Sequence, residues 1–417
     1  KLIGGLTVTF DGEERTLVQM GRYLEETDRA RRQEAWELVA NRRLEEAETI
    51  DAQLNDLAKR RIQMSDNAGF PNYRDFAHRR KGRFDYTPND CLAFHDAIEQ
   101  EMVPLLRELH DERQTTLGIE SVRPWDTATD PQGHSPLKPF EEVSQLIHRT
   151  QAIFDQLDGE LASWFQAMQD LDLLDLANRK GKAPGGYQCS LPEARLPFIF
   201  MNAVGRDGDL RTMLHEAGHA FHTFATTDEP ILDYQHAPME FCEVASMTME
   251  LIANQHLEVF YTQEEATRSR RQHLEGILEL LPWIATIDAF QHWIYTHPGH
   301  SSEERQTHWM ELRDRFSDQS DWSGFEEAQK NLWQRQGHLF GVPFYYIEYG
   351  IAQLGALGIW INAKSDSSGA LEAYLKSLSK GGSIPLPDLF QTAGIKFDFG
   401  PETVAPLVDA VMNELDA

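Results

Sequence analysis

Two histidines and a glutamate that could hold and use a metal ion lie within one short segment, His215-Glu216-Ala217-Gly218-His219. If the segment is helical, His215 and His219 lie one turn apart on the same face, so both imidazoles can reach a single ion. Glu216 then lies beside the ion, where its carboxylate can take a proton from a metal-bound water. The segment therefore predicts a hydrolytic zinc centre, and the alternative is a surface helix that carries two solvated histidines.

Apolar residues around this segment favour the metal centre over the surface helix. They are Leu210, Met213, Leu214, Ala217, Ala220, Phe221 and Phe224. A helix with this pattern is expected to be largely buried, and buried neutral histidines need polar partners. A zinc ion supplies such a partner, but catalysis also requires a third protein ligand and one open coordination position.

The third ligand is expected to be a carboxylate on the next helical stretch of the chain. Glu240, Glu243 and Glu250 are the candidates, and the last two share a helix face because they are seven residues apart. The small side chains of Ala245 and Ser246 would let this helix approach the first one closely. The spacing alone does not choose among the three glutamates.

The elements that must position these residues are mostly helical. Helical periodicity covers four stretches, with breaks at prolines and glycines: residues 28–64, 88–118, 140–174 and 210–362. Residues 6–16 are typical of a β-hairpin with an Asp11-Gly12 turn, and residues 198–201 of a short strand. The sequence therefore predicts a mainly α fold with a small β-sheet beside the histidine-bearing helix.

A loop rich in Pro, Asp, Gly and Ser is the best candidate for a domain boundary. It covers residues 123–139 and interrupts the helical periodicity. We therefore expect an N-terminal helical lobe over residues 1–122 and a catalytic region over residues 123–417.

Charge and composition argue against several other classes of protein. The chain has 417 residues, with 39 Lys and Arg against 67 Asp and Glu, and a formal net charge of −28. Such a surface repels phosphate backbones and anionic lipids, so neither nucleic acid nor a membrane is an expected partner. No run of about 18 apolar residues occurs, so no transmembrane helix is expected. The three cysteines are far apart and form no CxxC pair, which favours a reducing, cytoplasmic compartment.

Three segments, in this order, resemble the thimet oligopeptidase and oligoendopeptidase F family of zinc metallopeptidases, and more closely its bacterial oligoendopeptidase F branch. They are residues 209–222, 241–250 and 338–350, and the resemblance extends to residues 393–398. It implies an almost all-helical, two-lobed ellipsoid with zinc at the bottom of a deep channel that only unfolded peptides enter. Family members are usually longer at the N-terminus, so part of the N-terminal lobe is expected to lie outside this chain.

The resemblance also implies roles for individual residues. Glu243, which opens a Glu-x-x-Ser sequence, would be the third ligand of a single zinc ion, beside His215 and His219. Residues 198–202 would form an exposed strand edge on which a peptide pairs by backbone hydrogen bonds. The residues implied in substrate binding are Phe198, Phe200, Asn202, Gly185, Gly186 and Tyr345.

His338, Tyr345, Tyr346 and Tyr349 form an aromatic, donor-rich cluster in the sequence. One interpretation is ordinary helix packing, since tyrosine is common at half-buried positions. The other is that tyrosine hydroxyls and His338 donate to the oxyanion of the tetrahedral intermediate. The resemblance favours Tyr346 and Tyr349 in this role, and Tyr345 is a lesser candidate because it lies four residues before Tyr349.

Three further side chains could support the ligands without binding the ion. His222 is expected to be a non-ligand, because two histidines and a glutamate with one open position leave it no room. Asp209 could orient a ligand histidine, but we favour a cap at the start of the helix. Glu250 is either a carboxylate behind the ligands or simply a buried, paired acid.

The motif and the resemblance together predict a zinc-dependent endopeptidase, with Glu216 as the general base, and the resemblance implies short, unfolded oligopeptides as its substrates. One alternative is a zinc exopeptidase with a similar helical channel, such as a peptidyl-dipeptidase or a carboxypeptidase. The other is a non-catalytic relative that only binds peptides. The intact pair of histidines with Glu243 argues against the second alternative.

Overall fold

The Asp11-Gly12 pair makes the turn of the predicted N-terminal hairpin. In the computed structural model, strand β1 (Thr7–Phe10) pairs antiparallel with β2 (Glu13–Thr16). Asp11 and Gly12 have φ values of 54° and 77°, the left-handed conformation that a two-residue hairpin turn of this kind requires. The hairpin prediction is confirmed.

Six α-helices follow the hairpin between residues 17 and 117. They are α1 (Leu17–Met20), α2 (Arg29–Leu44), α3 (Ala47–Asn67), α4 (Tyr73–Arg80), α5 (Pro88–Glu101) and α6 (Val103–Leu117). The sequence predicts one helix over residues 88–118, and the structure has two, α5 and α6. Pro104 is the second residue of α6, and because it has no backbone N–H it cannot continue the hydrogen-bond ladder of α5.

The next part of the chain carries a three-stranded sheet between helices. Its elements are α7 (Val143–Leu157), α8 (Gly159–Asp170), β3 (Leu174–Ala177), β4 (Tyr187–Leu191), β5 (Leu196–Ala203), α9 (Asp207–Ala225) and α10 (Met239–Ala253). The strand order is β3-β5-β4, with β3 parallel and β4 antiparallel to β5. The predicted strand over residues 198–201 is confirmed. The prediction that residues 198–202 form an exposed edge is wrong, because β5 is the central strand and β4 is an outer one.

After α10 the described chain carries eight further α-helices, joined by loops and short 3₁₀ turns. They are α11 (Gln263–Thr296), α12 (Ser302–Phe316), α13 (Glu326–Lys330), α14 (His338–Gly341), α15 (Tyr346–Ser365), α16 (Ser367–Leu378), α17 (Leu386–Thr392) and α18 (Pro401–Leu415). In the part of the chain that the structure describes, no helix combines the length and apolar character needed to cross a lipid bilayer. The predicted mainly helical fold with small sheets is confirmed.

The chain divides into two units, each built from two separate stretches. Residues 1–136 and 278–347 form unit 1, and residues 137–277 and 348–417 form unit 2. The structure describes residues 2–179, 182 and 185–416 of these stretches. The domain boundary predicted between residues 122 and 123 lies inside unit 1, whereas the sheet, α9 and α10 all belong to unit 2.

Candidate metal centre

Helix α9 carries both histidines of the motif, and Asp209 stabilises its start. The Asp209 carboxylate accepts hydrogen bonds from the backbone N–H groups of Val204 (2.7 Å) and Arg206 (3.0 Å). These bonds satisfy backbone donors that a helix start leaves without partners. The prediction that Asp209 is itself the cap residue is wrong, because α9 already begins at Asp207, but the carboxylate does perform the capping from within the first turn.

Helix α10 packs against α9 at a separation that only small residues allow. A Cβ atom at Gly218 would lie 2.6 Å from Cα of Ser246 and 2.7 Å from the carbonyl oxygen of Ala245, both shorter than van der Waals contact. The glycine inside the motif therefore meets the small pair on α10, as the close approach of the two predicted helices requires. This approach brings a glutamate of α10 opposite the two motif histidines.

The side chains that converge between α9 and α10 are those of His215, His219 and Glu243. The Oε2 atom of Glu243 lies 3.4 Å from Nε2 of His215 and 3.6 Å from Nε2 of His219. One ligand atom from each residue lies within 4.8 Å of the others. The histidine side chains are 22% and 18% exposed, so solvent reaches them, whereas that of Glu243 is buried. Two imidazoles and one carboxylate that face an accessible space are the donor set of a catalytic zinc site.

The charges around these atoms suit a cation. Burial by itself would lower the pKa of His215, but hydrogen bonds to Glu243 and Glu250 raise it well above its ordinary value. Burial lowers the pKa of His219 to about 4, so this ring is neutral and keeps a lone pair. The two carboxylates thus stabilise positive charge at a point where neutral imidazoles can donate lone pairs, and a divalent ion satisfies both conditions.

Two neighbouring side chains fix the direction of the ligand atoms. Nδ1 of His215 donates to Oε1 of Glu250 at 2.7 Å, which leaves Nε2 of His215 for a metal ion. The hydroxyl of Ser246 donates to Oε2 of Glu243 at 3.1 Å. Burial would raise the pKa of Glu250, but hydrogen bonds from His215 and His273 outweigh burial and hold it at about 2. Of the two interpretations of Glu250, the geometry fits the carboxylate behind a ligand.

Glu216 lies beside the ligands on α9 and is only 6% exposed. Burial raises the pKa of its carboxyl to about 7, opposed by His215 and by a hydrogen bond to the backbone of Gln188 on β4. A carboxyl group with a pKa near neutrality can both accept and release a proton under ordinary conditions, which is the behaviour of a general base and acid.

The outer strand β4 runs along α9, and the predicted substrate-binding residues other than Tyr345 lie on or near this sheet. The amide of Gln188 donates to the Thr223 hydroxyl of α9 at 3.1 Å. On β5, Phe198, Phe200 and Asn202 alternate with residues that are buried on the other face. Phe200 stacks on Tyr187 of β4, with ring centroids 4.9 Å apart.

The two glycines of the predicted substrate loop pack against this sheet. The side-chain amide of Asn202 donates to the carbonyl oxygen of Gly185 at 2.9 Å. A Cβ atom at Gly186 would lie 3.0 Å from Cγ2 of Thr212, so this position has little room for a side chain. Gly185 has a φ of 95°, which favours glycine.

Members of the predicted tyrosine and histidine cluster are found in both units. His338, Tyr345 and Tyr346 belong to unit 1, where the His338 ring lies 5.9 Å from that of Tyr345 and 5.0 Å from that of Tyr346. Nδ1 of His338 pairs with the Gln336 amide at 2.6 Å. Tyr349 is half-buried and belongs to unit 2, the unit that contains the candidate metal centre.

His222 lies on α9 but outside the group of converging ligands. It is 5% exposed, its ring packs edge-on against that of Phe241, and burial lowers its pKa to about 3. These features describe a neutral core histidine, in keeping with the predicted non-ligand role.

Sequence reasoning missed a second group, formed by His78, Cys91 and His292 in unit 1. Ligand-type atoms of these three residues also lie within 4.8 Å of one another, and all three residues are buried. It also missed His273 of α11, which approaches Glu250 from behind the metal centre. Neither belongs to a short motif, so only the three-dimensional fold makes them visible.

Comparison with known proteins relates the chain to a family of peptidases. A model of peptidase family M3 matches residues 22–403. Oligopeptidase PepF of Bacillus subtilis (strain 168) is 23% identical over 320 residues, which cover 75% of this chain and 47% of that protein. The oligoendopeptidase F homolog of Borreliella burgdorferi is 26% identical over 301 residues, 69% of this chain and 49% of that protein. The chain therefore spans about half the length of these curated relatives.

Solved structures match a larger share of their own chains. PZ peptidase A with inhibitor 2 superimposes with a TM-score of 0.94 and 30% identity, covering all of this chain (100%) and 74% of that one. Oligoendopeptidase-F from Enterococcus faecium has a TM-score of 0.68 and 18% identity over 98% of this chain and 67% of its own, and so shares the fold.

Proposed function

Because this chain belongs to peptidase family M3, we propose that it is a zinc-dependent endopeptidase that hydrolyses short, unfolded oligopeptides. The observation that supports this proposal most is the convergence of one ligand atom each from His215, His219 and Glu243. These three residues would hold one zinc ion per chain. The names of the relatives, oligopeptidase and oligoendopeptidase F, support oligopeptides as the substrate class.

Glu216 is the general base and acid of the proposed reaction. When bound, zinc would supply Lewis acidity, which acidifies a coordinated water and polarises the peptide carbonyl group. Glu216 takes the proton of the attacking water and later delivers a proton to the leaving amine. Tyr349, Tyr346 and His338 donate hydrogen bonds to the oxyanion that forms on the carbonyl oxygen.

The substrate backbone pairs with the outer strand β4 rather than with β5. Two observations support β4: its backbone reaches Glu216 through Gln188, and β5 already has a partner on each side. Side chains of the peptide then contact Phe198, Phe200 and Asn202 of β5, the loop with Gly185 and Gly186, and Tyr345. The wide spacing of the three cysteines supports a cytoplasmic location.

The test compares an oligopeptide whose two ends are both blocked with the same peptide left unblocked. We expect the zinc-loaded protein to cleave the blocked peptide at internal bonds, as detected by mass spectrometry of the products. A chelator should abolish this cleavage. Zinc added back to the chelated protein should restore the activity. Cleavage only of the unblocked peptide, with removal of terminal residues, would instead assign an exopeptidase, and inactivity of the zinc-loaded protein on both peptides would contradict the proposal.

A further inference from the structure

A second layer of hydrogen bonds lies behind the candidate metal centre. The two oxygens of Glu250 have different partners, since Oε1 accepts from Nδ1 of His215 at 2.7 Å and Oε2 lies 3.3 Å from Nε2 of His273. His273 is part of α11, and its side chain is 12% exposed. One partly buried carboxylate, that of Glu250, therefore links this imidazole to a ligand histidine.

The direction of the bond between His273 and Glu250 follows from the groups on the other side of the ring. Nδ1 of His273 faces Nη1 of Arg211 at 3.0 Å and Nδ2 of Asn254 at 2.9 Å. An arginine has only donors, and the amide of Asn254 is oriented because its Oδ1 accepts from the same guanidinium group. Nδ1 of His273 must therefore accept, so the proton of a neutral imidazole is on Nε2 and points at Glu250.

Arg211 is itself held in place, so the arrangement of donors is rigid. Its Nη2 donates to the carbonyl oxygen (2.7 Å) and to the hydroxyl (2.6 Å) of Ser269, and its Nε lies 3.4 Å from the Asp207 carboxylate. These partners come from α9 and α11, the two helices that also carry His215 and His273. A fixed guanidinium thus orients the His273 ring, and the ring in turn orients the Glu250 carboxylate.

Glu250 can orient the His215 ring only while both oxygens of the Glu250 carboxylate have hydrogen-bond partners. With a partner at Oε2, the carboxylate cannot turn away from Nδ1 of His215. With Nδ1 of His215 bonded, the free lone pair of this ring is on Nε2, the atom that faces Glu243. Loss of the His273 donor at Oε2 would leave the Glu250 carboxylate free to rotate. It would thereby loosen His215, although His215 itself is unchanged.

We infer that His273 is a positioning residue for the metal centre: it donates from Nε2 to Glu250 and thereby keeps Nε2 of His215 directed at the bound ion. The inference rests on the proposed zinc site formed by His215, His219 and Glu243. It gives His273 of α11, which belongs to no recognisable sequence motif, a role in metal affinity.

The test compares two amide replacements that differ in reach. In His273→Gln, the amide N–H group occupies nearly the position of Nε2 and can still donate to Glu250. In His273→Asn, the amide lies at the position of Nδ1 and is too short to do so. The dissociation constant for zinc, measured by competition with a chromogenic chelator, should rise by about 10–100-fold in His273→Asn and stay close to wild type in His273→Gln. His148→Asn, an exposed position of the same unit, is the control and should change nothing.

A second variant tests whether His273 acts through Glu250. Glu250→Gln should weaken zinc binding to a similar degree, and combining it with His273→Asn should add little, because both changes break one chain of bonds. The absorption spectrum of the cobalt-substituted protein should shift in His273→Asn and not in His273→Gln. If His273→Asn does not fold, Glu250→Gln takes its place in the comparison. Zinc binding should then weaken in Glu250→Gln and stay close to wild type in His273→Gln.

The outcomes separate this inference from the proposed function. Zinc binding by His273→Asn that equals wild type would overturn the positioning role and leave the proposed zinc site intact. Equal losses in His273→Asn and His273→Gln, or strict additivity with Glu250→Gln, would also overturn it, because the ring would then act only by packing. A wild-type protein that binds no zinc would overturn both.

Discussion

The groups His215–His219–Glu243 in unit 2 and His78–Cys91–His292 in unit 1 have the same local dimensions and different surroundings. In each, atoms that could bind a metal lie within 4.8 Å of one another. The group in unit 2 is partly exposed to solvent and has a second carboxylate, that of Glu250, behind it. The group in unit 1 is buried, and the guanidinium of Arg83 lies 3.3 Å from Nε2 of His78.

The carboxylate next to the unit 1 group, that of Asp288, already has histidine partners. Oδ2 of Asp288 lies 3.0 Å from Nε2 of His95 and 3.3 Å from Nε2 of His292. Burial, followed by the positive charge of Arg83, lowers the pKa of His78 to about 3. Unit 1 therefore keeps the His78 ring neutral next to a fixed cation, whereas unit 2 favours positive charge between two carboxylates. Proximity of ligand-type atoms alone does not make a metal site; the charge around them and access to solvent decide.

The largest effect is expected for Glu216, the residue of unit 2 that is proposed to act in the reaction and not in binding the metal. Glu216→Gln keeps the size of the side chain and removes the base, so turnover should fall by about 10²–10⁴-fold or more. Zinc content, measured by elemental analysis, should stay at the wild-type level. A zinc-loaded variant with near wild-type turnover would contradict the assigned role.

The next effect concerns Tyr349, the tyrosine of the predicted cluster that belongs to unit 2. Tyr349→Phe removes one hydroxyl group, and if that hydroxyl binds the oxyanion, kcat should fall by about 10²–10³-fold with little change in KM. Stability should change by no more than about 0.5–1.5 kcal/mol, the cost of one hydrogen bond. Tyr346→Phe and Tyr345→Phe in the same assay rank the three hydroxyls. Full kcat in all three variants would mean that these tyrosines only pack.

Metal stoichiometry tests the comparison between the two clusters directly. We expect one zinc per chain in the wild-type protein and in His78→Gln. Glu243→Ala should raise the zinc dissociation constant by more than about 100-fold, beyond what loss of an outer residue causes. Glu240→Ala, on the same helix, is the matched control and should retain zinc. Two zinc ions per chain, with one lost in His78→Gln, would show that the unit 1 cluster also binds metal.

Most of the candidate metal centre in unit 2 could be predicted from sequence because its residues lie on two helices that are close together in the chain. The spacing of His215 and His219 needs only helical geometry, and the small residues Ala245 and Ser246 anticipate the contact that Gly218 makes. The choice of Glu243 over its neighbours came from family resemblance, since helical spacing left three glutamates open. The structure places Glu243 between the histidines and Glu250 behind one of them.

The remaining features depend on contacts between distant parts of the chain. The central position of β5 could not be predicted, because its partner β3 is four residues long and directly follows helical periodicity. The break before α6 was missed because apolar residues keep a helical period across Pro104. His78, Cys91 and His292 come from three separate helices, and no local pattern links them.

The smallest effect, and the one that tests the unit 1 cluster by itself, is a dependence of stability on pH. The pKa of His78 is about 3 in the folded protein, below its ordinary value of 6.5, so the unfolded chain binds the proton more tightly. The contribution of a neutral His78 to stability is therefore complete above about pH 6.5 and is lost as the pH falls toward 3. Between pH 7 and pH 5, the wild-type protein should lose about 2 kcal/mol more unfolding free energy than His78→Gln does. Urea denaturation at the two pH values measures this difference, and His148→Gln, at an exposed position, should behave as wild type. If wild type and His78→Gln lose the same stability, His78 is not held neutral by burial and Arg83. The two groups would then not differ in charge as described above.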